Sequence, residues 1–409
     1  MKFLYFIIFL NLFIYCYGYY YLDEVLSWKQ ITYELDDFLY KKDADYKKTF
    51  DGVHFEQELE DWEKFFIQYN NIPIGFEVYK DLVFVTVPRR RYGIPSTLNY
   101  VELSHNKSPH LKRYPGSENV TSVYRPRIDV CGRLWMVDTG LLEVPGNRTQ
   151  VKQPAIVIYD LHSHKQILYY ELKASDLINE RTPGGLTSIA VDVTEHNCDD
   201  AYAYINDLAT EGMIVFSLRR KESFRINHST FVHDESSLNF TVADYTIPWK
   251  DGLFSIALSE PNYSGDRTLY YHPLASIQEF SVNTKYLKSG TINIDQFKTL
   301  GIKGRNTQSG SHDYHPGSRT LFFGNVAQDA ILCWRVDDKM APENVEIALQ
   351  DHEKLVYISD LKVIGDYIWV LVNKMPIFVY SKFNLNENNF FIHRISINKL
   401  LKTSCRRKQ

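Results

Sequence analysis

Apolar positions in this chain come in short runs closed by turn residues, and the runs repeat. Six copies recur at intervals of about 50 to 70 residues: LVFVTVPR from Leu82, RLWMVDTG from Arg133, AYAYINDL from Ala201, TLYYHPLA from Thr268, TLFFGNVA from Thr320 and YIWVLVNK from Tyr367. Each is preceded by turn punctuation such as Lys80-Asp81, Cys131-Gly132, Gly265-Asp266 or Gly365-Asp366, which predicts hairpin strands. A second run follows each copy and carries an aromatic near its end, at Tyr100, Tyr159, Phe216, Phe280, Trp334 and Tyr380. Further strands are expected upstream, in PRIDV before Cys131 and from Leu186, Leu253 and Lys354, with outer strands from Gln166 and Asn389. The unit is a four-stranded antiparallel meander. Six units predict an all-β fold, a six-bladed β-propeller. Two β-sandwiches would not need a period that spans the chain. One ring makes residues 19–409 a single domain, and a strand at about 28–35 from Trp28 lies outside the units and is expected to close it. Residues 41–70, rich in Lys, Asp and Glu, are expected to form a short helical or looped insertion.

Composition narrows the partners. The 409 residues are 44% hydrophobic and 23% charged, ordinary globular usage that excludes a disordered or collagen-like chain. A formal net charge of -4 leaves no cationic field to neutralise phosphates, so nucleic acid is not an expected partner. Lys2, the apolar run from Phe3 to Leu10 and on to Tyr15, and Cys16-Tyr17-Gly18 read as a secretory signal peptide over residues 1–18. That run is shorter than the roughly 20 residues a membrane span takes, and no later run is as apolar. A secreted, extracellular protein with no membrane partner is therefore expected. Sequons at Asn106, Asn119, Asn147, Asn227, Asn239 and Asn262 predict glycosylation. Without Cys16, the even set Cys131, Cys198, Cys333 and Cys405 predicts two disulfides among three possible connectivities. No Cys-x-x-Cys occurs, so zinc-finger and thioredoxin-type chemistry is not expected, and neither is a cofactor.

Several stretches carry a resemblance. VPRRRYGIPSTLNYV from Val87, IDVCGRLWMVDTG from Ile128, NCDDAYAY from Asn197, GDRTLYYHPLAS from Gly265 and WVLVNKMPIF from Trp369 resemble the Yellow and major royal jelly protein family of insects, over about residue 72 to Cys405. The resemblance implies a secreted, glycosylated six-bladed propeller without one common activity. Some relatives act in cuticle pigmentation, a few convert dopachrome in melanin synthesis, royal jelly members are nutritive, and salivary members bind biogenic amines. On the blades, Cys131 and Cys198 occupy equivalent turns of neighbours, so a bridge would link them. Pairing Cys333 with Cys405 would pin the carboxyl terminus, in agreement with the family pattern.

Propeller loops gather at the ends of a central channel, so polar residues closing the inner strands are the candidate ligand contacts: Asp138, Asn206, Asp207, His272, Asn325 and Asn373. A carboxylate there could pair with the ammonium of a small aromatic amine or catechol-derived ligand while apolar walls stack its ring. The competing expectation is that Asp and Asn at strand ends only cap turns. The amine-binding relatives use a hydroxyl residue, an asparagine and an aromatic in the last blade. By resemblance these fall on Ser359, Asn373 and Met375, with methionine replacing the aromatic. Catalytic residues are not identified. His312-x-x-His315 lacks the spacing and glutamate of a zinc protease helix and is expected in a loop, and His162-Ser163-His164 in an exposed turn. No Gly-x-Ser-x-Gly elbow occurs. Arg89-Arg90-Arg91 is expected on a solvated rim, and Arg406-Arg407-Lys408 in a frayed tail. Asn206 and Asp207 would suit a divalent cation, but no glutamate stands ready to complete the site, so no metal is expected. Two classes of function remain: a binding or structural glycoprotein, or a dopachrome-converting isomerase, which needs a positioned base and oxyanion donors.

Overall fold

A computed structural model describes residues 22–43, 46–49, 52–55, 60–144, 148–290 and 292–406. The expected signal peptide and the sequon at Asn147 lie outside them. The other five sequon asparagines, Asn106, Asn119, Asn227, Asn239 and Asn262, are exposed. The strands form six four-stranded antiparallel units in a ring, a six-bladed β-propeller. From the axis outward, blade 1 runs Gly75–Tyr79, Leu82–Thr86, Leu98–Glu102 and Leu111–Arg113. The innermost strands of blades 2 to 5 are Arg127–Ile128, Ile189–Asp192, Leu253–Leu258 and Ser309–His315. Blade 6 runs Ile358–Ile364, Tyr367–Val372, Phe390–Ser396 and, from the other end of the chain, Asp23–Trp28.

Alternation builds the core between blades. In blade 1, Val83 and Val85 face blade 6 while Phe84 and Leu98 pack with Leu134 and Met136 of blade 2. On the other side of that strand, Trp135 and Val137 pack against Ala203 and Ile205 of blade 3. Both faces of a second strand are buried, which is why these strands read as uninterrupted apolar runs rather than as alternating ones. The turns before them need special backbone: Gly132 has φ +72, and a Cβ there would meet the His162 ring at 2.5 Å.

Four expectations change. The ring is closed by Asp23–Trp28, paired with Phe390–Ser396, and not by residues 28–35. Tyr33–Leu35 instead adds to the outer edge of blade 1 beside Leu111–Arg113. The run PIFVYSK is no strand: Met375–Tyr380 is a helix with Pro376 in its first turn, a place where its missing N–H costs nothing, unlike a central ladder. The third strand of blade 6 is Phe390–Ser396, expected as an outer strand. The histidine pair His312 and His315 lies in the innermost strand of blade 5, not in a loop, with His312 Nδ1 bonded to Ser255 Oγ and His315 Nδ1 to Ser318 Oγ. The insertion at 41–70 contains a hairpin, Tyr46–Thr49 with Gly52–Phe55. Both disulfides are present, Cys131–Cys198 between neighbouring blades and Cys333–Cys405 at the tail.

Trp28 couples the closing strand to blade 1. Its ring is fully buried, and Nε1 donates to the Pro109 carbonyl at 2.7 Å. Trp28→Ala should lower the unfolding free energy by about 3–5 kcal/mol in denaturant titration. A loss under about 1 kcal/mol would show that the ring closes without it.

Candidate functional site

The strand-end residues singled out in the sequence are buried, and most of their polar contacts go to backbone. Asn206 Nδ2 donates to the Leu253 and Phe254 carbonyls of the next blade, both at 3.0 Å. His272 Nε2 lies 3.1 and 3.0 Å from the Ser309 and Gly310 carbonyls of blade 5. Asn373 Nδ2 donates to the Pro73 carbonyl at 2.8 Å, and Ser359 Oγ to the Ile74 carbonyl at 2.7 Å. These contacts staple blade 3 to blade 4, blade 4 to blade 5 and blade 6 to blade 1. Asp138 accepts from the Thr121 and Ser122 amides, and Asn325 donates to the Asn306 and Gln308 carbonyls. Asp207 accepts from the Ala209 and Thr210 amides and pairs with Arg225 at 2.8 Å, both side chains almost fully buried. Met375 reaches a mouth of the channel, where its Sδ lies 3.7 Å from Arg90 Nη1.

The channel is crossed by charge. Arg127 of blade 2 meets Asp313 of the opposite blade 5 at 2.8 Å, with Glu77 of blade 1 at 3.9 Å. Lys362 of blade 6 donates to the Pro126 carbonyl at 3.1 Å and lies 3.6 Å from Asp360. Arg125 reaches from blade 2 to the Ser359 carbonyl at 2.8 Å. Burial pushes the Glu77 carboxyl up against the pull of Lys362 and Arg127. Burial also opposes the charge on Asp313, but Arg127 outweighs it and holds that carboxyl low. On the side where the innermost strands end, a cavity of about 520 Å³ opens, with Arg127, Asp313 and Lys362 on one wall and Ile189, Ile256 and Leu258 on the other.

Past Arg125, the loops that leave the second strands and enter the first ones form the opposite mouth. Apart from the triple arginine and Met375, its residues were not among those the sequence singled out. Arg90 Nε stands 3.8 Å from Glu143, whose carboxylate also receives Tyr124 OH and lies 3.5 Å from Arg148. The triple arginine is a solvated rim only in part: Arg90 is exposed, but Arg89 is tied to the Ile94, Pro95 and Val120 carbonyls, and the Arg91 guanidinium lies 3.8 Å over the Phe378 ring. Asp251 is half-buried in the same mouth, and desolvation raises its carboxyl to about 6 against the fields of Arg90 and Arg125. Tyr357, its ring tilted against Trp249 with centroids 5.6 Å apart, completes the wall, its phenol pushed up to about 12 by burial. A carboxyl titrating near neutral pH, beside a guanidinium and phenols, can exchange a proton with a bound ring and steady an oxyanion.

A second cluster lies behind the channel wall, between blades 4 and 5. His272 Nδ1 is 2.9 Å from Glu279 Oε2, and His312 Nε2 is 3.2 Å from Glu279 Oε1. Among the described residues this is the group of three side chains with donor atoms close enough to hold a metal ion. Glu279 was invisible in the sequence as a site residue, since one acid in SIQEFSV carries no motif.

Asp207 and Arg225, both of blade 3, give the clearest test of a structural role for a strand-end residue. Removing one partner strands a buried charge, so Arg225→Met should cost about 3–5 kcal/mol in equilibrium unfolding at neutral pH. A near-neutral effect would mean that Asp207 is solvated and open to ligand.

Comparison with known proteins identifies the lineage. Residues 121–405 match the family model described as Major royal jelly protein. The chain is 38% identical over 400 residues to L-dopachrome tautomerase yellow-f of Drosophila melanogaster, covering 91% of each protein. It is 31% identical over 407 residues to dopaminechrome tautomerase of the same species, covering 94% of this chain and 83% of that protein. Protein yellow of Drosophila madeirensis is 33% identical over 402 residues, with 94% and 67% covered. A ring of six blades, two inter-blade and terminal disulfides and these matches together make the chain a member of the Yellow and major royal jelly protein family.

Proposed function

We propose that this is a secreted protein of melanin-type pigment metabolism that binds a catechol-derived aminochrome at the Arg90–Asp251 mouth and catalyses its tautomerisation. The observation that carries the reading is a half-buried carboxyl, Asp251, raised to about 6 beside cationic and phenolic groups. Likeness along nearly the whole chain to proteins named for dopachrome and dopaminechrome tautomerisation supports the substrate class. An aminochrome is an ortho-quinone fused to a five-membered nitrogen ring. Its tautomerisation breaks two C–H bonds of the smaller ring in turn. Each electron pair moves into the bicycle, and the two protons end on the two quinone oxygens, which become phenolic. No oxidant is consumed. Asp251 removes a carbon-bound proton, and Arg90 steadies the developing oxyanion. Met375, with Asn373 accepting its backbone N–H at 3.1 Å, forms the apolar side of the pocket.

The experiment follows loss of dopachrome and of dopaminechrome spectrophotometrically against boiled protein. Turnover should rise with pH through about 6, because the base is the ionised carboxylate and protonation removes it below that value. Asp251→Asn should lower kcat/KM by about 10²- to 10⁴-fold and abolish that inflection. Saturable binding without turnover would leave a carrier of such ligands. Unchanged activity in Asp251→Asn would overturn the assignment of the base.

A further inference from the structure

The interface between blades 4 and 5 is built from apolar packing of Ala257, Tyr270, Leu321, Phe323 and Leu332. Into it the chain sets His272, Glu279, His312 and Lys303, all four side chains with no exposure. Elsewhere the polar ends of second strands mostly meet backbone, with the Asp207–Arg225 pair as an exception. Here one of them, His272, turns its second nitrogen to a buried carboxylate.

The hydrogen bonds orient both imidazoles. His272 Nε2 faces two carbonyls, which accept only, so that nitrogen carries the proton and Nδ1 presents a lone pair to Glu279 Oε2 at 2.9 Å. Two acceptors at that distance repel unless a proton or a cation lies between them. Ser255 Oγ stands 2.6 Å from His312 Nδ1 and can accept its proton, which turns the Nε2 lone pair inward. Glu279 Oε1 and His312 Nε2 face each other at 3.2 Å, fully buried and without a hydrogen-bond partner. Histidines fixed by carbonyl or hydroxyl partners on the far nitrogen are the usual supports of a metal ligand.

We infer that His272 Nδ1, His312 Nε2 and the Glu279 carboxylate bind a divalent cation of the zinc class, which locks blade 4 to blade 5. Donors about 2.0–2.2 Å from a tetrahedral zinc stand roughly 3.4 Å apart, close to the spacings found here. Two imidazoles with one carboxylate favour zinc-like ions over calcium or magnesium, which take oxygen donors. Burial on all sides gives the ion a structural role. Lys303 Nζ, 3.3 Å from Glu279 Oε2, opposes the cation and is held in place by the Gln278 carbonyl at 2.9 Å.

The test uses the full secreted chain, equilibrated with Zn²⁺, freed of excess and assayed by elemental analysis and thermal unfolding. One zinc per chain and a raised unfolding temperature are expected. Glu279→Gln and His312→Ala should each weaken zinc binding at least tenfold, and Lys303→Met should tighten it by removing a like charge. Cobalt in the unmutated protein provides a readout that does not depend on the variants folding: visible ligand-field bands of a nitrogen- and oxygen-ligated ion are expected. The inference is overturned by absence of a stoichiometric zinc, by absence of those cobalt bands, or by zinc binding that survives intact in Glu279→Gln. A purely ionic cluster would reveal itself through Lys303→Met losing stability and gaining no affinity.

Discussion

Arg127 and Asp313 meet across the channel from opposite blades, and the rest of the ring is arranged around the need to keep such charges paired. Six twisted sheets with apolar faces pack against one another readily, but their innermost edges converge where no sheet covers them. Polar side chains must occupy that axis, and a buried charge without a partner would cost several kcal/mol. The solution is a mutual one: Glu77, Asp313 and Asp360 are interleaved with Arg127 and Lys362, so the inner strands of blades 1, 2, 5 and 6 are tied together, blade 2 to blade 5 straight across the axis. Arg125 adds the bar that separates the cavity on one face from the mouth on the other.

Polar residues at the ends of second strands serve the same economy one layer out. Asn206, His272 and Asn373 each donate to carbonyls of the following blade, which the sheet ladders leave open there. A side chain that completes the hydrogen bonding of a neighbouring backbone is poorly placed to greet a ligand. The loops above instead carry Asp251, which is only half-buried and whose carboxyl desolvation raises to about 6.

The repeat was legible in the sequence because burial of both strand faces leaves an apolar run that needs no partner to be recognised. Second strands begin at Leu82, Arg133, Tyr202, Thr268, Thr320 and Tyr367, within one residue of where the runs place them. Ser309–His315 escaped notice because an axis strand is polar, and SGSHDYH reads as a loop until the channel supplies its partners. The helix at Met375–Tyr380 was hidden by an apolar stretch too short for periodicity to decide, although Pro376 was a signal against a central strand. The mouth was the least legible part: Arg90, Tyr124, Glu143 and Asp251 come from four loops and share no spacing. Glu279 shows the same limit, since its pairing with His312 is a contact between two blades.

On the proposed function, the axis holds a ligand-binding mouth on one side of Arg125 and a charged cavity, closed off by the cross-channel pairs, on the other. A crystal structure of the protein with a redox-stable aminochrome analogue tests that division most directly. The account predicts the bicycle between Arg90 and Asp251, on the Met375 side of Arg125, with the Arg127–Asp313 pair intact. Density in the cavity beside Arg127 and Lys362 instead, with the Arg90 mouth empty, would contradict it.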